Sequence, residues 1–149
     1  MAEGGRIVVG IDGSSASKAG LRWALDEARL RGADVHLVHG WHFPAVAVSS
    51  YGAAALPVIA PEDLEKVAEE VLKDAVTEAA SEAANVEVTA STVRGHPAQV
   101  LLAAAKGAAL LVVGSRGLGG FAGMLLGSVS SQVIHHATCP VVVIRGDRS

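Results

Sequence analysis

The sequence predicts an α/β protein: a doubly wound, five-stranded parallel sheet in the order 3-2-1-4-5, with helices on both faces. Half of the 149 residues are apolar but only 3% are aromatic. The core must therefore consist of Val, Leu, Ile and Ala, as suits a parallel sheet covered by helices. Short β-branched runs also alternate with helical segments in the order β-α-β-α-β-α-β-α-β, and right-handed crossovers between such units build a doubly wound sheet. The length suits one domain over residues 1–149.

The first strand and helix have clear boundary signals. Residues 6–11 form an apolar, β-branched run that predicts a buried strand. Ser14 or Ser15 can cap the following helix, which carries apolar residues on one face and continues to about Arg31. Gly32 is the glycine expected just past the end of that helix.

The next elements are a second strand at 35–39 and a long amphipathic helix. Residues 41–60 lack a clean period and predict a long loop. Pro61 suits the first position of the helix, which has acidic residues in its first turn and continues to about Ala84. The remaining predicted elements are a strand at 86–93, a helix from Pro97 to Gly107, a strand at 110–113, a helix from Ser128 to about Ala137 and a strand at 141–144.

Charge and cysteine content narrow the function classes. The formal net charge is −3 with both signs mixed along the chain, which gives no argument for nucleic acid or an anionic membrane surface. The polar first residues lack the apolar stretch of a signal peptide, and the apolar segment at 45–60 is too short and broken to span a bilayer. The single cysteine, Cys139, fits a reduced cytoplasmic setting.

The most informative motif is the glycine-rich stretch from Gly114 to Ser128. It follows an apolar strand and leads into a helix, with the spacing Gly114-x2-Gly117-x9-Gly127-Ser128. Glycines let backbone amides approach an anion closely, and the helix start adds unpaired N–H groups with a partial positive charge. Ser128 is expected at about the N-cap position. The stretch therefore predicts a phosphate site.

Three other interpretations of this loop exist. It could be a plain connector between strand and helix. A Walker A motif is excluded, because no Gly-Lys-Ser/Thr follows the glycines. A Rossmann pattern occurs as Gly117-x-Gly119-x-x-Ala122. It counts as coincidence, because a dinucleotide fold needs that loop after its first strand, with further βαβ units downstream.

The predicted strand order brings Asp12 to the same crevice. Ligands of doubly wound sheets bind beyond the carboxyl ends of the strands, where the strand order reverses. In the order 3-2-1-4-5 that reversal lies between strand 1, which Asp12 ends, and strand 4, which Gly114 ends. Asp12 could instead only form the turn before the helix. Arg116 could face a phosphate or be a solvated loop charge.

These motifs together resemble the universal stress protein family, in its ATP-binding branch. The likeness covers nearly the whole chain: the opening IVVGIDGS, Val38-His39, the Arg94–Pro97 turn, the glycine signature and the closing CPVVVI. The resemblance implies an adenine nucleotide alpha hydrolase-like fold, bound ATP with Mg²⁺ or Mn²⁺, a role in stress regulation and a dimer. The cofactor-binding residues it implies are Asp12, Gly40, Gly114, Arg116, Gly117, Gly127, Ser128, Val129 and Ser130.

Within that set, the resemblance assigns Asp12 to the nucleoside and the backbone around Gly40 to the adenine pocket. The signature glycines and Ser128 would hold the ribose and phosphates. Gly40 departs from the family, where a branched apolar residue often follows the histidine.

No metal site built from protein side chains alone is expected. His36, His39 and His42 are spaced by two intervening residues, but residues three apart on a strand point to opposite faces. His36 and His39 therefore cannot share a metal ion.

Three functions remain open at the sequence level. The first is a nucleotide-responsive regulator. The second is a slow ATPase or phosphotransfer enzyme, which would need a water-orienting base and a metal holder, while Asp12 is the only acid that the sequence places in the crevice. No catalytic residue is predicted. The third is an interaction protein that works without nucleotide, and the intact glycine signature argues against it. A homodimer through Val141–Ile144 is also expected, since this run is an apolar sheet edge.

Overall fold

The computed structural model describes residues 3–42, 60–83, 85–117 and 126–146. Within these ranges the chain alternates strands and helices, as the sequence predicts. The elements are β1 (Arg6–Gly10), α1 (Ser15–Arg31), β2 (Asp34–Trp41), α2 (Pro61–Glu82), β3 (Val88–Arg94), α3 (Pro97–Ala104), β4 (Leu110–Gly114), α4 (Ser128–His136) and β5 (Val141–Ile144). None of the described helices is long and apolar enough to span a bilayer.

The five strands form one sheet in the order β3-β2-β1-β4-β5, and every neighbouring pair is parallel. The predicted fold class and strand order are therefore confirmed. Because β1 lies between β2 and β4, the connections turn in opposite directions on its two sides. The strand order thus reverses between β1 and β4, where a doubly wound sheet opens a crevice at the carboxyl ends of its strands.

Two apolar layers hold the sheet between its helices. One layer packs α1 and α2 on the face that carries Ile7, Val9 and Val112. The other packs α3 and α4 on the face that carries Val8 and Leu111. These five side chains are 0% exposed, as expected for strands covered on both faces.

The two ends of α1 have the predicted signals. The Ser14 hydroxyl accepts a hydrogen bond from the Ser17 amide at 3.2 Å, and Gly32 has the left-handed conformation, with φ of 67°. The predicted start of α4 at Ser128 is confirmed, but the expected position of its N-cap is wrong by one residue. Gly127 is the N-cap, with extended φ and ψ of −78° and 172°, and Ser128 is the first helical residue. The Ser128 hydroxyl therefore does not cap this helix.

Several boundaries also differ from the predicted ones. β2 continues to Trp41, because its register with β3 holds as far as the Trp41–Arg94 pair. α3 ends at Ala104 rather than at Gly107, which has a φ of 76°. β3 begins at Val88, two residues later than predicted, after a turn with positive φ at 85. The predicted loop at 41–60 lies outside the described residues from 43 to 59, and so does residue 84.

Candidate functional site

A cavity of about 430 Å³ opens at the carboxyl edge of the sheet, at the reversal between β1 and β4. This volume is within the usual range for sites that bind small molecules. The described residues that line it come from the ends of β1, β2 and β4 and from the starts of three helices. They are Gly10, Ile11, Asp12, Ser17, Val38, His39, Gly40, Pro97, Leu101, Val113, Gly114, Gly117, Gly127, Ser128, Val129 and Ser130.

Eight of the nine predicted cofactor-binding residues thus line one cavity. Arg116, which is half-buried, is not among the described lining residues, so its role stays a prediction. The apolar lining residues at the strand ends, and Leu101 of α3, are not predicted from the sequence. Their signal in sequence is the same as that of any core residue, because they become a wall only once the sheet is assembled.

Asp12 makes a turn and faces the glycine loop at the same time. Its Oδ1 accepts a hydrogen bond from the Ser14 amide at 2.8 Å, which is the turn-forming role of an aspartate. Its Oδ2 lies 2.6 Å from the point that a Cβ on Gly117 would occupy. The two sequence interpretations of Asp12 are therefore compatible, because each carboxylate oxygen has a different neighbour.

Gly114 is required by packing between β4 and α1. A Cβ on Gly114 would lie 2.7 Å from the Ala16 Cβ, 2.9 Å from the Ala16 carbonyl carbon and 3.0 Å from the Ser17 amide nitrogen. Only a residue without a side chain lets the start of α1 come so close to the end of β4. Gly114 therefore helps the site by bringing a helix start to the cavity.

Ser115 and Ser130 fix the place where the chain enters α4. The Ser115 carbonyl accepts hydrogen bonds from the Gly127 amide at 2.6 Å and from the Ser130 hydroxyl at 2.8 Å. The Ser130 hydroxyl is thus already used within the protein, and the residue is 2% exposed. We expect Ser130 to meet a ligand through its backbone amide.

The first turn of α4 presents amides toward the cavity. The Ser131 amide donates to the Gly127 carbonyl at 3.0 Å, which is the first hydrogen bond of the helix. The amides of Ser128, Val129 and Ser130 precede it and have no acceptor within the helix. All three residues line the cavity, so this turn is suited to an anion.

Gly40 lets α3 pack directly on β2. A Cβ at this position would lie 2.9 Å from the Pro97 Cα and 3.1 Å from the Val100 Cβ. A branched side chain at Gly40 is therefore incompatible with the position of α3. This close approach explains the departure from the family pattern, and it leaves backbone as the surface of β2 at this end of the cavity.

Three helix starts converge on the cavity, and their first turns lack acidic residues. Ser17 of α1, Pro97 of α3 and Ser128 of α4 all line it, and none of these helices has an acid in its first turn. By contrast, the first turn of α2 carries Glu62 and Asp63. The partial positive charge of the three helix starts is thus not neutralised by acids within those turns.

The histidines of β2 have separate neighbours. A ring nitrogen of His39, Nδ1, donates to the Ile11 carbonyl at 2.6 Å, because a carbonyl can only accept. His36 instead contacts the hydroxyls of Thr89 at 2.6 Å and Ser91 at 3.1 Å on β3. Burial, followed by the Arg6 guanidinium, lowers the pKa of His36 against the raising effect of the Asp34 carboxylate. Within the described ranges, no three His, Cys, Asp or Glu residues converge as a metal site.

The family suggested by the sequence agrees with a comparison against known protein families. The sequence profile of the Universal stress protein family matches residues 4–145. The chain belongs to this family. Universal stress proteins of Mycolicibacterium smegmatis and Mycobacterium tuberculosis are each 40% identical to it, over 141 and 139 residues respectively. Both matches cover 93% of this chain but only 45% and 44% of those proteins, so the chain spans less than half the length of these curated relatives.

Solved structures of other universal stress proteins match along nearly the whole chain. One from Archaeoglobus fulgidus, in complex with dAMP, is 28% identical with a TM-score of 0.66, and the match covers 93% of this chain and 96% of that one. Another universal stress protein, in complex with cAMP, is 26% identical with a TM-score of 0.67 and covers 96% and 98%. Both ligands of those proteins are adenine nucleotides.

Proposed function

We propose that this universal stress protein binds ATP in the cavity between β1 and β4 and acts as a nucleotide-responsive regulator in the stress response. The observation that carries the proposal is the first turn of α4, where Ser128, Val129 and Ser130 line the same cavity as Asp12 and their amides have no acceptor within the helix. Related structures in complex with dAMP and cAMP support the adenine nucleotide class. Within this class, the glycine signature is the reason for proposing a triphosphate, ATP.

The lining residues suit a nucleotide whose phosphates, ribose and adenine contact different parts of the cavity. Amides at the start of α4 and at Gly117 would hold the phosphates. The backbone of Gly40 and the apolar strand ends would hold the adenine. The Oδ2 atom of Asp12, on the side of the glycine loop, would accept a hydrogen bond from the ribose or contact the metal ion. Mg²⁺ or Mn²⁺ would neutralise charge on the phosphates, since these ions are bound largely by phosphate and carboxylate oxygens.

The enzyme alternative lacks support from the lining of the cavity. ATP hydrolysis or phosphotransfer requires a group that orients the attacking nucleophile and residues that hold the metal ion. Asp12 is the only carboxylate among the described lining residues, and its Oδ1 is already bonded to the Ser14 amide. If the chain were an interaction protein that needs no nucleotide, the cavity and the amides in the first turn of α4 would have no assigned role. Nucleotide binding linked to a change of partner or conformation is therefore the function that we favour.

Calorimetry with ATP, AMP and adenosine tests this proposal. We expect ATP to bind with micromolar affinity in the presence of Mg²⁺, and we expect mass spectrometry to find adenine nucleotides released from the purified protein. The variant Asp12→Ala separates the two roles of the carboxylate. A ribose contact predicts equal losses for ATP and adenosine, whereas a metal contact predicts a loss for Mg²⁺-ATP alone. No binding of any adenine ligand at millimolar concentration would refute the proposal.

We further propose a homodimer in which β5 pairs with its copy. β5 is the edge strand next to β4, and its four residues are all half-buried. The carbonyls of Pro140 and Ile144 face β4, because they accept hydrogen bonds from the amides of Leu111 at 3.0 Å and Ser115 at 2.8 Å. Since backbone groups alternate in direction along a strand, Val141 and Val143 direct theirs away from β4. A twofold axis would let these groups pair with a second copy.

Residues 1–149 would then act as one domain in the cytoplasm. The matched profile extends over residues 4–145, which supports a single unit of this family. The mixed charge and single cysteine support a reduced compartment. Size-exclusion chromatography with light scattering tests the homodimer. Fractionation of cells that produce the chain tests its location in the cytoplasm.

A further inference from the structure

Two exposed histidines meet at the mouth of the cavity. The rings of His42 and His96 have centroids 5.5 Å apart and planes tilted by 36°. His42 follows the end of β2, two residues after Gly40, and His96 directly precedes Pro97 at the start of α3. Gly40 and Pro97 both line the cavity, so the pair lies beside its opening. The His96 side chain makes no capping hydrogen bond to α3.

The separation of these rings fits a shared metal ion. With a metal–nitrogen distance of about 2.0–2.1 Å, a histidine ligand places its ring centroid about 3.2 Å from the ion. Two such rings have centroids about 5.2 Å apart at a tetrahedral angle, and the observed separation corresponds to an angle of about 118°. The separation of the two rings is therefore within the range that two histidine ligands of one ion can have.

The local chemistry favours a borderline transition metal of moderate affinity. Imidazole suits Zn²⁺, Cu²⁺ and Ni²⁺, whereas Mg²⁺ and Ca²⁺ prefer oxygen ligands. The segment 43–60 contains no His, Cys, Asp or Glu, so it offers none of these as a further ligand. Arg94, whose guanidinium lies 5.9 Å from the Trp41 ring centroid, and the positive start of α3 both oppose a cation here.

We infer that His42 and His96 form a two-histidine site for a divalent transition metal such as Zn²⁺. The remaining coordination positions would be taken by water. The site is independent of the proposed nucleotide function, since its ligands are imidazoles outside the phosphate-binding turn. The site also differs from the series His36, His39 and His42, because His42 pairs with His96, which precedes α3, and not with a histidine of β2.

Calorimetric titration of untagged, nucleotide-free protein with ZnCl₂ tests the inference. We expect one Zn²⁺ per chain, with His42→Gln and His96→Gln each lowering the affinity at least tenfold while circular dichroism stays unchanged. The pair His135 and His136 provides the matched control. Both residues lie in the last turn of α4, and the Nδ1 atom of His135 already donates to the Ser131 carbonyl at 2.8 Å. His135→Gln should therefore leave the affinity unchanged.

Electron paramagnetic resonance of the Cu²⁺-loaded protein gives a second readout. The wild type should show coupling to two imidazole nitrogens, and each variant at 42 or 96 should show at most one. The inference is refuted if millimolar Zn²⁺ does not bind, if both variants bind like the wild type, or if only His135→Gln reduces binding. Each of these results is distinct from a failure of ATP binding, because no nucleotide is present.

Discussion

Replacing Ser128 by proline would remove one of the amides that we propose to bind phosphate, without disturbing α4. Proline is well tolerated at the first helical position, and α2 and α3 both begin with it. The preceding residue must be extended, and Gly127 already has φ and ψ of −78° and 172°. The Ser128 amide has no acceptor within the helix, so its loss costs no intrahelical hydrogen bond. We therefore expect an unchanged thermal midpoint within a few degrees.

The expected loss of affinity follows from the type of hydrogen bond removed. A bond from a neutral donor to a charged group contributes roughly 1.5–3 kcal/mol, which corresponds to a factor of about 10–150 in the dissociation constant. The variant Ser128→Ala retains the amide and loses only the hydroxyl, which does not cap α4 in this structure. Ser128→Ala therefore measures the contribution of the hydroxyl by itself, and a larger loss in Ser128→Pro than in Ser128→Ala is the expected contribution of the amide.

Isothermal calorimetry with ATP and with adenosine separates the phosphate contribution from the rest. Ser128→Pro should weaken ATP binding at least tenfold and leave adenosine binding unchanged, because adenosine carries no phosphate. Equal ATP affinity in the proline variant and the wild type would show that this turn does not bind the phosphates. An equal loss of affinity for adenosine would show that the substitution changes the shape of the cavity. The Ser128 amide would then not be a phosphate donor.

Three further outcomes are expected. In β5, Val143→Pro should yield a folded monomer by light scattering and circular dichroism. Val142→Pro should instead lower the stability, because the backbone groups of Val142 bond to β4. A wild-type protein that is monomeric at about 50 μM, above a typical micromolar dissociation constant, would contradict the dimer. Gly40→Val should lower the free energy of unfolding by about 1–3 kcal/mol through overpacking, although valine favours strands, and unchanged urea unfolding would contradict this. Because the folded-state pKa of His36 is lowered, the unfolded chain binds the proton more tightly, so stability should decline as the pH falls below the unfolded-state pKa of about 6.5. His36→Gln should show a smaller decline in urea midpoint between pH 7.5 and 5.5, and an equal decline would assign the effect to other groups.

The strands were predictable where burial on both faces produces continuous apolar runs. β1 and β4 are examples, since their runs of Ile, Val and Leu are enough to predict each strand within one residue. The end of β2 was predicted two residues too early, at His39, because Gly40 and Trp41 carry no such signal. They join the sheet through their register with β3, and a pairing across the sheet cannot be read from local sequence.

The position of the candidate site was predictable from the sequence, but the reason for each of its glycines was not. The glycine spacing and the strand order together placed Asp12 and the α4 start on one crevice, which the structure also has. The reason for individual glycines was not apparent, because it lies in contacts between distant segments. Gly114 accommodates Ala16 of α1, and Gly40 accommodates Pro97 of α3. The contact between His42 and His96 was missed on the same grounds.

The convergence of three acid-free helix starts has a consequence for the rate of ligand capture. A chain with a net charge of −3 should on average repel a polyanion at long range. The starts of α1, α3 and α4 nevertheless surround one opening, where Asp12 is the only carboxylate among the described lining residues. The first-turn acids Glu62 and Asp63 are on α2, none of whose described residues is in that lining. Local fields at a cleft can guide a charged ligand more strongly than net charge does. Added salt, which screens both contributions, should therefore slow the association of ATP, although the two reactants carry charge of the same sign.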